Sequence, residues 1–161
     1  MKNVTLMSRD QITKTNNEYI TGLKPVLEAL SSKKRKINKI FIFQGLKPSK
    51  LKYLDQLIKK ESIEIELVTK DFLDKLVQHD RHKGIVAEID AFKYTPLTSI
   101  LKSCGLKNSI IVILDGITDI GNLGSMIRTC EASGIAGIIL SKNKAAKITE
   151  TVVRISCGTT E

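Results

Sequence analysis

Two polar side chains six residues apart, Asn122 and Arg128, stand where a chain of this pattern would gather a site. They lie within 110–140, IIVILDGITDIGNLGSMIRTCEASGIAGIIL. The first chemistry to test there is phosphate cradling, because Gly116, Gly121 and Gly124 fall close together. Their spacing is G-x-x-x-x-G-x-x-G rather than G-x-G-x-x-G, and no Walker lysine follows, so a dinucleotide or P-loop site is disfavoured. Asn122 is also the residue type that caps a helix. Arg128 also stands where a solvated residue would pair with Glu131 three positions on. Spacing alone leaves these readings open. His79-x-x-His82 is too sparse for zinc, lacking cysteine or a third ligand, and no metal is expected.

The elements that position the pair are legible. Residues 110–114 form an apolar, β-branched run too short for a helix, which reads as a strand buried on both faces. Asp115-Gly116 ends it, and 117–121 is a loop. From Asn122 a helical pattern puts Leu123, Met126, Ile127 and Cys130 on one face. Ser133-Gly134 closes that helix, and 138–140 is a second buried strand. A strand–helix–strand unit of this kind sets its first loop at the carboxyl end of the strand, where ligands bind.

The segment LDGITDIGNLGSMIRTCEASGIAGIIL resembles the first signature motif of the SpoU/TrmH family of RNA 2′-O-ribose methyltransferases. That motif runs D-x-(I/V)-x-D-P-x-N-x-G-x-x-x-R-T-(A/C)-x-x-x-G. Asp115, Asp119, Asn122, Gly124, Arg128, Thr129 and Gly134 match it. Ile120 departs from it, standing where the family usually has proline. Near the two ends, EYITGLKPVLEAL and SCGTTE are similar to further family segments, as is HDRHKGIVAEI between them, so the likeness covers nearly the whole chain. It is nearest to bacterial enzymes that methylate guanosine in 23S rRNA.

The resemblance implies an α/β chain. An L30e-like RNA-binding α/β domain would be followed by the first part of an α/β-knot (SPOUT) methyltransferase domain. It implies S-adenosylmethionine as methyl donor, structured RNA (rRNA or tRNA) as substrate, and a homodimer with a shared site. Arg128 would meet the ribose hydroxyl or phosphate. A guanidinium is nearly always charged and is a poor base, so its physical role is to stabilise the forming alkoxide. Asn122 would orient Arg128 or the substrate. The later family motifs, like G-x-E-x-x-G and S-L-N-V-x-x-A, do not occur in these residues. The reading is therefore of a fragment or a truncated gene product, with its cofactor loops expected beyond Glu161 and no cofactor binding by residues 1–161 alone. A non-catalytic RNA-binding module is the alternative, and a nucleotide-binding α/β protein a third.

Composition fits an RNA partner. The chain has 161 residues, 42% hydrophobic, with 26 Lys+Arg against 17 Asp+Glu, a net charge of +9. Excess positive charge points to a polyanion. Aromatics are only 4%, so a base-stacking platform is not expected. No apolar run reaches the roughly 18 residues of a membrane helix, and the N-terminal residues carry no h-region. The odd, scattered cysteines, Cys104, Cys130 and Cys157, read as reduced thiols of a cytoplasmic protein.

The expected organisation is a flexible tail (1–16), an RNA substrate-binding domain (17–90), a linker with a short helix (91–108) and the start of the methyltransferase domain (109–161). Within 17–90 the pattern predicts β–α–β–α–β after a first helix introduced by Gly22 and Pro25. Strands are expected at 40–43, 65–68 and 84–89. A helix with Leu51, Leu54, Leu57 and Ile58 on one side and a helix capped by Thr69 separate them. Between 33 and 60 there are ten Lys or Arg and one acid, and between 61 and 80 six acids and two Lys. A basic half facing an acidic half suggests a phosphate-reading surface, with Lys33, Lys34, Arg35 and Lys36 at its head. Arg81, His82 and Lys83 are the second RNA-binding candidates, His82 alternatively ordering the loop before Gly84.

Overall fold

The computed structural model describes residues 17–47, 54, 58, 61–103 and 109–161. The expected N-terminal tail lies outside them, as do Leu51 and Leu57 of the expected second helix and Cys104. Elements run β1 (Asn17–Thr21), α1 (Leu23–Ser32), β2 (Ile37–Phe43), β3 (Glu64–Val68), α2 (Lys70–Val77), β4 (Ile85–Asp90), α3 (Leu97–Ser103), β5 (Ile111–Leu114), α4 (Ile120–Ala132), β6 (Gly137–Leu140) and α5 (Glu150–Ile155).

β1, β4, β2 and β3 form a mixed four-stranded sheet in that order. β4 is antiparallel to both neighbours, pairing Tyr19 with Glu88 and Ile40 with Ala87, while β2 and β3 run parallel. β1 is an addition to the sequence reading, which took 17–21 as the approach to α1. The strand is five residues long and lies at the sheet edge. So short a segment shows little alternation, and of 18–21 it buries only Ile20 and Thr21. Gly22, at φ 91°, turns the chain from β1 into α1. Pro25 sits in the first turn of that helix, where its missing N–H costs nothing.

α1 buries Val26, Ala29 and Leu30 on one sheet face, together with helical Leu54 and Ile58. α2 lies over a second cluster of Phe41, Val68, Leu73 and Val86. Thr69 caps α2, its Oγ1 accepting from the Phe72 N–H at 3.2 Å.

The C-terminal part is a parallel β5–β6 pair with α4 between the strands, Ile111 opposite Gly137 and Leu114 opposite Leu140. The strands are only partly buried, and Ile113 is 71% exposed. Among the described residues each has a single partner strand, so an apolar sheet face and the outer edge of β5 lie open. The apolar core is continuous across the joint, however. Leu123, Ile127, Val152 and Val153 belong to the same cluster as Ile20, Val26, Ile40 and Ile89. Among the described residues no helix is long and apolar enough to cross a membrane.

Candidate active site and nucleic-acid surface

α4 begins two residues earlier than its apolar periodicity indicates, because Asp119 is its cap. The Asp119 carboxylate accepts from the Asn122 N–H at 2.6 Å. That settles one open reading: Asn122 is in the first turn and is not the cap. Its side chain is exposed and makes no hydrogen bond among the described residues. At the far end Gly134 (φ 68°) and Ile135 donate back to Glu131 and Cys130 at 2.9 and 3.0 Å, the Schellman arrangement.

Arg128 is also exposed, and among the described residues it has no carboxylate partner. Its one polar contact there is long, Nη1 to the Cys157 Sγ at 4.0 Å. The ion pair with Glu131 that spacing left open is not formed. Six residues along a helix separate Asn122 and Arg128 by about 9 Å axially and about 120° in azimuth. They do not share a face, and would converge through the length of the arginine or on a substrate.

α4 is held close to α5 at Gly124. A Cβ there would come within 2.7 Å of Ile155 Cγ2, so no side chain fits without a shift. The carboxyl ends of β5 and β6 are closed by their own polar groups. Ser141 bonds the Asp115 carboxylate, and the Gly116 N–H donates to the Ser141 hydroxyl at 3.3 Å.

The basic run resolves unevenly. Lys33 pairs with Glu61 at 2.6 Å, and Lys39 with Glu64 and Glu66 at 2.7 and 2.9 Å. Burial works to lower the Lys39 pKa, but hydrogen bonds to these two carboxylates outweigh it and leave it raised. The acidic stretch thus partly neutralises the basic one across β2 and β3. Arg35 is a correction to the RNA-binding set: its side chain is 6% exposed. Its guanidinium donates to the Asp90 carbonyl at 2.8 Å and to Glu161 and Glu18 at 3.0 Å each, and it lies 5.7 Å from the Phe92 ring centroid. All three guanidinium nitrogens are engaged, so Arg35 knits the two parts of the chain and offers nothing to a phosphate. Lys34 and Lys36 are exposed, and among the described residues neither is in an ion pair.

His82 is the second correction. It is 1% exposed. Its Nδ1 accepts from the Gly84 N–H at 3.0 Å, so the proton sits on Nε2, which donates to Asp74 at 2.8 Å. It orders the loop before β4, the alternative the sequence left open. His79 turns its Nε2 to Glu150 at 3.3 Å, so the two imidazoles serve different partners. Arg81 and Lys83 remain exposed. They precede β4, whereas Lys34 and Lys36 lie beside its other end, where the Asp90 N–H donates to the Lys36 carbonyl. The length of β4 separates the two groups by about 20 Å.

A cleft of about 900 Å³ opens between the 92–100 segment, β6 and the 141–148 loop. Lys34, Lys93, Lys142 and Lys147 line it. Sequence reasoning passed over the last three because they stand alone or in a short polar loop and meet only in the fold.

The chain is thus α/β, with a lysine-bearing cleft and an exposed Asn122 and Arg128 on the helix that follows a parallel strand. Its fold is that of solved RNA methyltransferases. An AdoMet-bound rRNA methyltransferase from Sinorhizobium meliloti superposes with a TM-score of 0.69 at 24% identity, over 94% of this chain and 53% of that one. The AviRb SpoU methyltransferase of Streptomyces viridochromogenes superposes with a TM-score of 0.69 at 21% identity, over 96% and 56%. Residues 19–95 match the RNA 2′-O ribose methyltransferase substrate-binding family, and residues 109–161 match the SpoU rRNA methylase family. The chain belongs to the SpoU family. A protein of Bacillus subtilis assigned to the TrmH family of tRNA/rRNA methyltransferases is 34% identical over 90% of this chain and 58% of its own length. The 23S rRNA (guanosine-2′-O-)-methyltransferase of Haemophilus influenzae is 29% identical over 90% and 59%. The chain thus spans a little over half the length of these relatives.

Proposed function

We propose that this chain works in 2′-O-ribose methylation of structured RNA, rRNA or tRNA, with S-adenosylmethionine as methyl donor. The observation that carries the reading is the state of Asn122 and Arg128. Asp119 takes over the capping, which leaves the Asn122 amide available. Arg128 has no neutralising carboxylate among the described residues. An uncompensated guanidinium suits a developing alkoxide or the adjacent phosphate. Arg128 would stabilise the charge on the 2′-oxygen as its proton passes to water at this exposed site, and Asn122 would orient the ribose by hydrogen bonding. The azimuth between them favours meeting on the substrate over meeting each other.

The methyl donor supplies an electrophilic methyl group. At the carboxyl ends of β5 and β6, Asp115, Gly116 and Ser141 bond one another. The relatives' additional length is where we place its binding loops. We also propose the division into a substrate-binding part (17–90), a joint (91–108) and a methylase part (109–161), and a homodimer as the working form.

The test is transfer of labelled methyl groups to rRNA and tRNA transcripts by the longest product of this reading frame. Arg128→Ala should abolish transfer with the fold intact, and Arg128→Lys should not rescue it, because a point charge does not replace a planar fork. Near-normal transfer by Arg128→Ala would remove Arg128 from the mechanism.

A further inference from the structure

The cleft of about 900 Å³ is bounded on one side by Ile127, Cys130 and Glu131 of α4, the helix that carries Arg128. Its four lysines come from three separate stretches: Lys34 after α1, Lys93 after β4, and Lys142 and Lys147 after β6. All are exposed, and among the described residues none is in an ion pair. Among the described residues, Glu131 is the one acid in the lining. The rest of the lining is largely apolar, with Ile100, Ile127, Ile138 and Leu140 among it, and the four lysines give that groove an excess of positive charge suited to a polyanion.

The wall also carries an aromatic pair. Phe92 and Tyr94 meet edge to face, with centroids 5.2 Å apart and planes at 83°. The Tyr94 hydroxyl accepts from the Ile148 N–H at 3.0 Å, which fixes the ring against the 141–148 loop. Tyr94 nevertheless remains 57% exposed. A tyrosine held at its edge and its hydroxyl, yet open to solvent, is a ready surface for a flat partner. Low aromatic content argued against a stacking platform; the fold places one of the few aromatic side chains where it would act.

We propose that this cleft binds a single strand of RNA, its phosphates on Lys34, Lys93, Lys142 and Lys147 and one unpaired base stacked on Tyr94. Lysines along a groove and an exposed ring are the two parts of single-strand recognition. A duplex has its bases stacked internally and cannot give one to Tyr94 without unpairing it. The strand would run past α4 and bring a neighbouring ribose toward Arg128. The inference rests on the RNA reading above and assigns to it a surface and a strandedness.

The experiment uses the full chain and a fluorescein-labelled single-stranded RNA of about ten nucleotides, followed by fluorescence anisotropy across a salt series. Replacing Lys93, Lys142 and Lys147 together by Gln should weaken binding at least roughly tenfold and lower the logarithmic salt slope by about two. Lys70→Gln with Lys75→Gln, on α2 at the other sheet face, should change neither. Tyr94→Ala should weaken binding roughly tenfold, and Tyr94→Phe, which keeps the ring, much less. A duplex of the same sequence should bind more weakly than the single strand. If the chain binds RNA and the triple variant binds it equally well, the cleft is refuted and the RNA reading stands. A fall in the sedimentation coefficient of that variant with unchanged RNA affinity would give the cleft to a second copy and overturn the proposal. Equal affinity for duplex and single strand would overturn the stacking. If no RNA binds at all, the RNA reading itself fails, and this inference with it.

Discussion

Leu123→Ala tests whether the two parts of the chain fold as one. Leu123 is fully buried and shares a cluster with Ile20, Val26, Ile40 and Ile89 of the N-terminal sheet layer. The substitution removes three carbons, worth about 2.4 kcal/mol at ~0.8 per methylene. A cavity bounded by both parts adds to this and brings the cost to roughly 3–4 kcal/mol, within the range for such truncations. Helix propensity barely changes, since alanine is the better helix former. For a chain of this length each kcal/mol moves the melting temperature about 2–4 °C, so a single cooperative transition should fall by roughly 6–16 °C. Hydrogen exchange at the Ile20 and Ile89 amides should accelerate together with exchange in α4. Leu73→Ala, fully buried in the other cluster under α2, should lower the same transition. If Leu123→Ala exposes α4 and leaves the Ile20 and Ile89 amides protected, the shared core does not couple the two parts. The N-terminal part then folds independently.

Arg35→Ala should destabilise by roughly 3–5 kcal/mol in a chemical melt, because it strands Glu161 and Glu18 without their counter-charge. RNA affinity per folded molecule should be unchanged; a selective loss of RNA binding would restore Arg35 to the interface. Gly124→Ala should cost about 1–3 kcal/mol by overpacking against Ile155, more than the ~1 kcal/mol that alanine gains in a helix. Trimming Ile155 to Ala in the same molecule should return part of it, and an additive double mutant would refute the contact. Burial raises the Glu161 pKa above its ordinary 4.5, with Arg35 pulling it back and Glu18 pushing it up. A raised folded pKa gives stability that is fully present below the ordinary value and lost as pH rises through the folded one. The stability of Glu161→Gln minus that of the parent should therefore grow as pH rises through this window, and a flat difference would refute the shift.

How much of this was legible depended on how local the cause was. The stop at Ser133-Gly134, the cap at Thr69 and the turn at Gly22 are set by a few neighbouring residues, and each stands as expected. β1 was missed because five residues at a sheet edge carry no period to read; its pairing with β4, almost seventy residues on, makes it a strand. The strand at 110–114 stands as expected, and the exposure of Ile113 follows from its single partner strand, because burial belongs to neighbours and not to the strand. The start of α4 was misplaced since apolar periodicity begins inside a helix while its cap lies outside. Asp119, already conspicuous in the motif, was the signal that could have placed it.

The same distinction explains the charges. A run of basic residues in sequence is not a basic surface. From the run 33–39, Arg35 goes inward to Glu161, and Lys33 and Lys39 go across to the acids that follow. Side chains without a nearby carboxylate present the least compensated charge to a partner, and the fold decides which those are. Lys93, Lys142 and Lys147 are unremarkable in sequence, yet the return of the chain after β6 sets them in the same cleft as Lys34. Arg128 follows the same rule at the scale of one side chain. Its functional reading rests less on its place in a motif than on the carboxylate it lacks, since Glu131 is near enough in sequence to have neutralised it and does not.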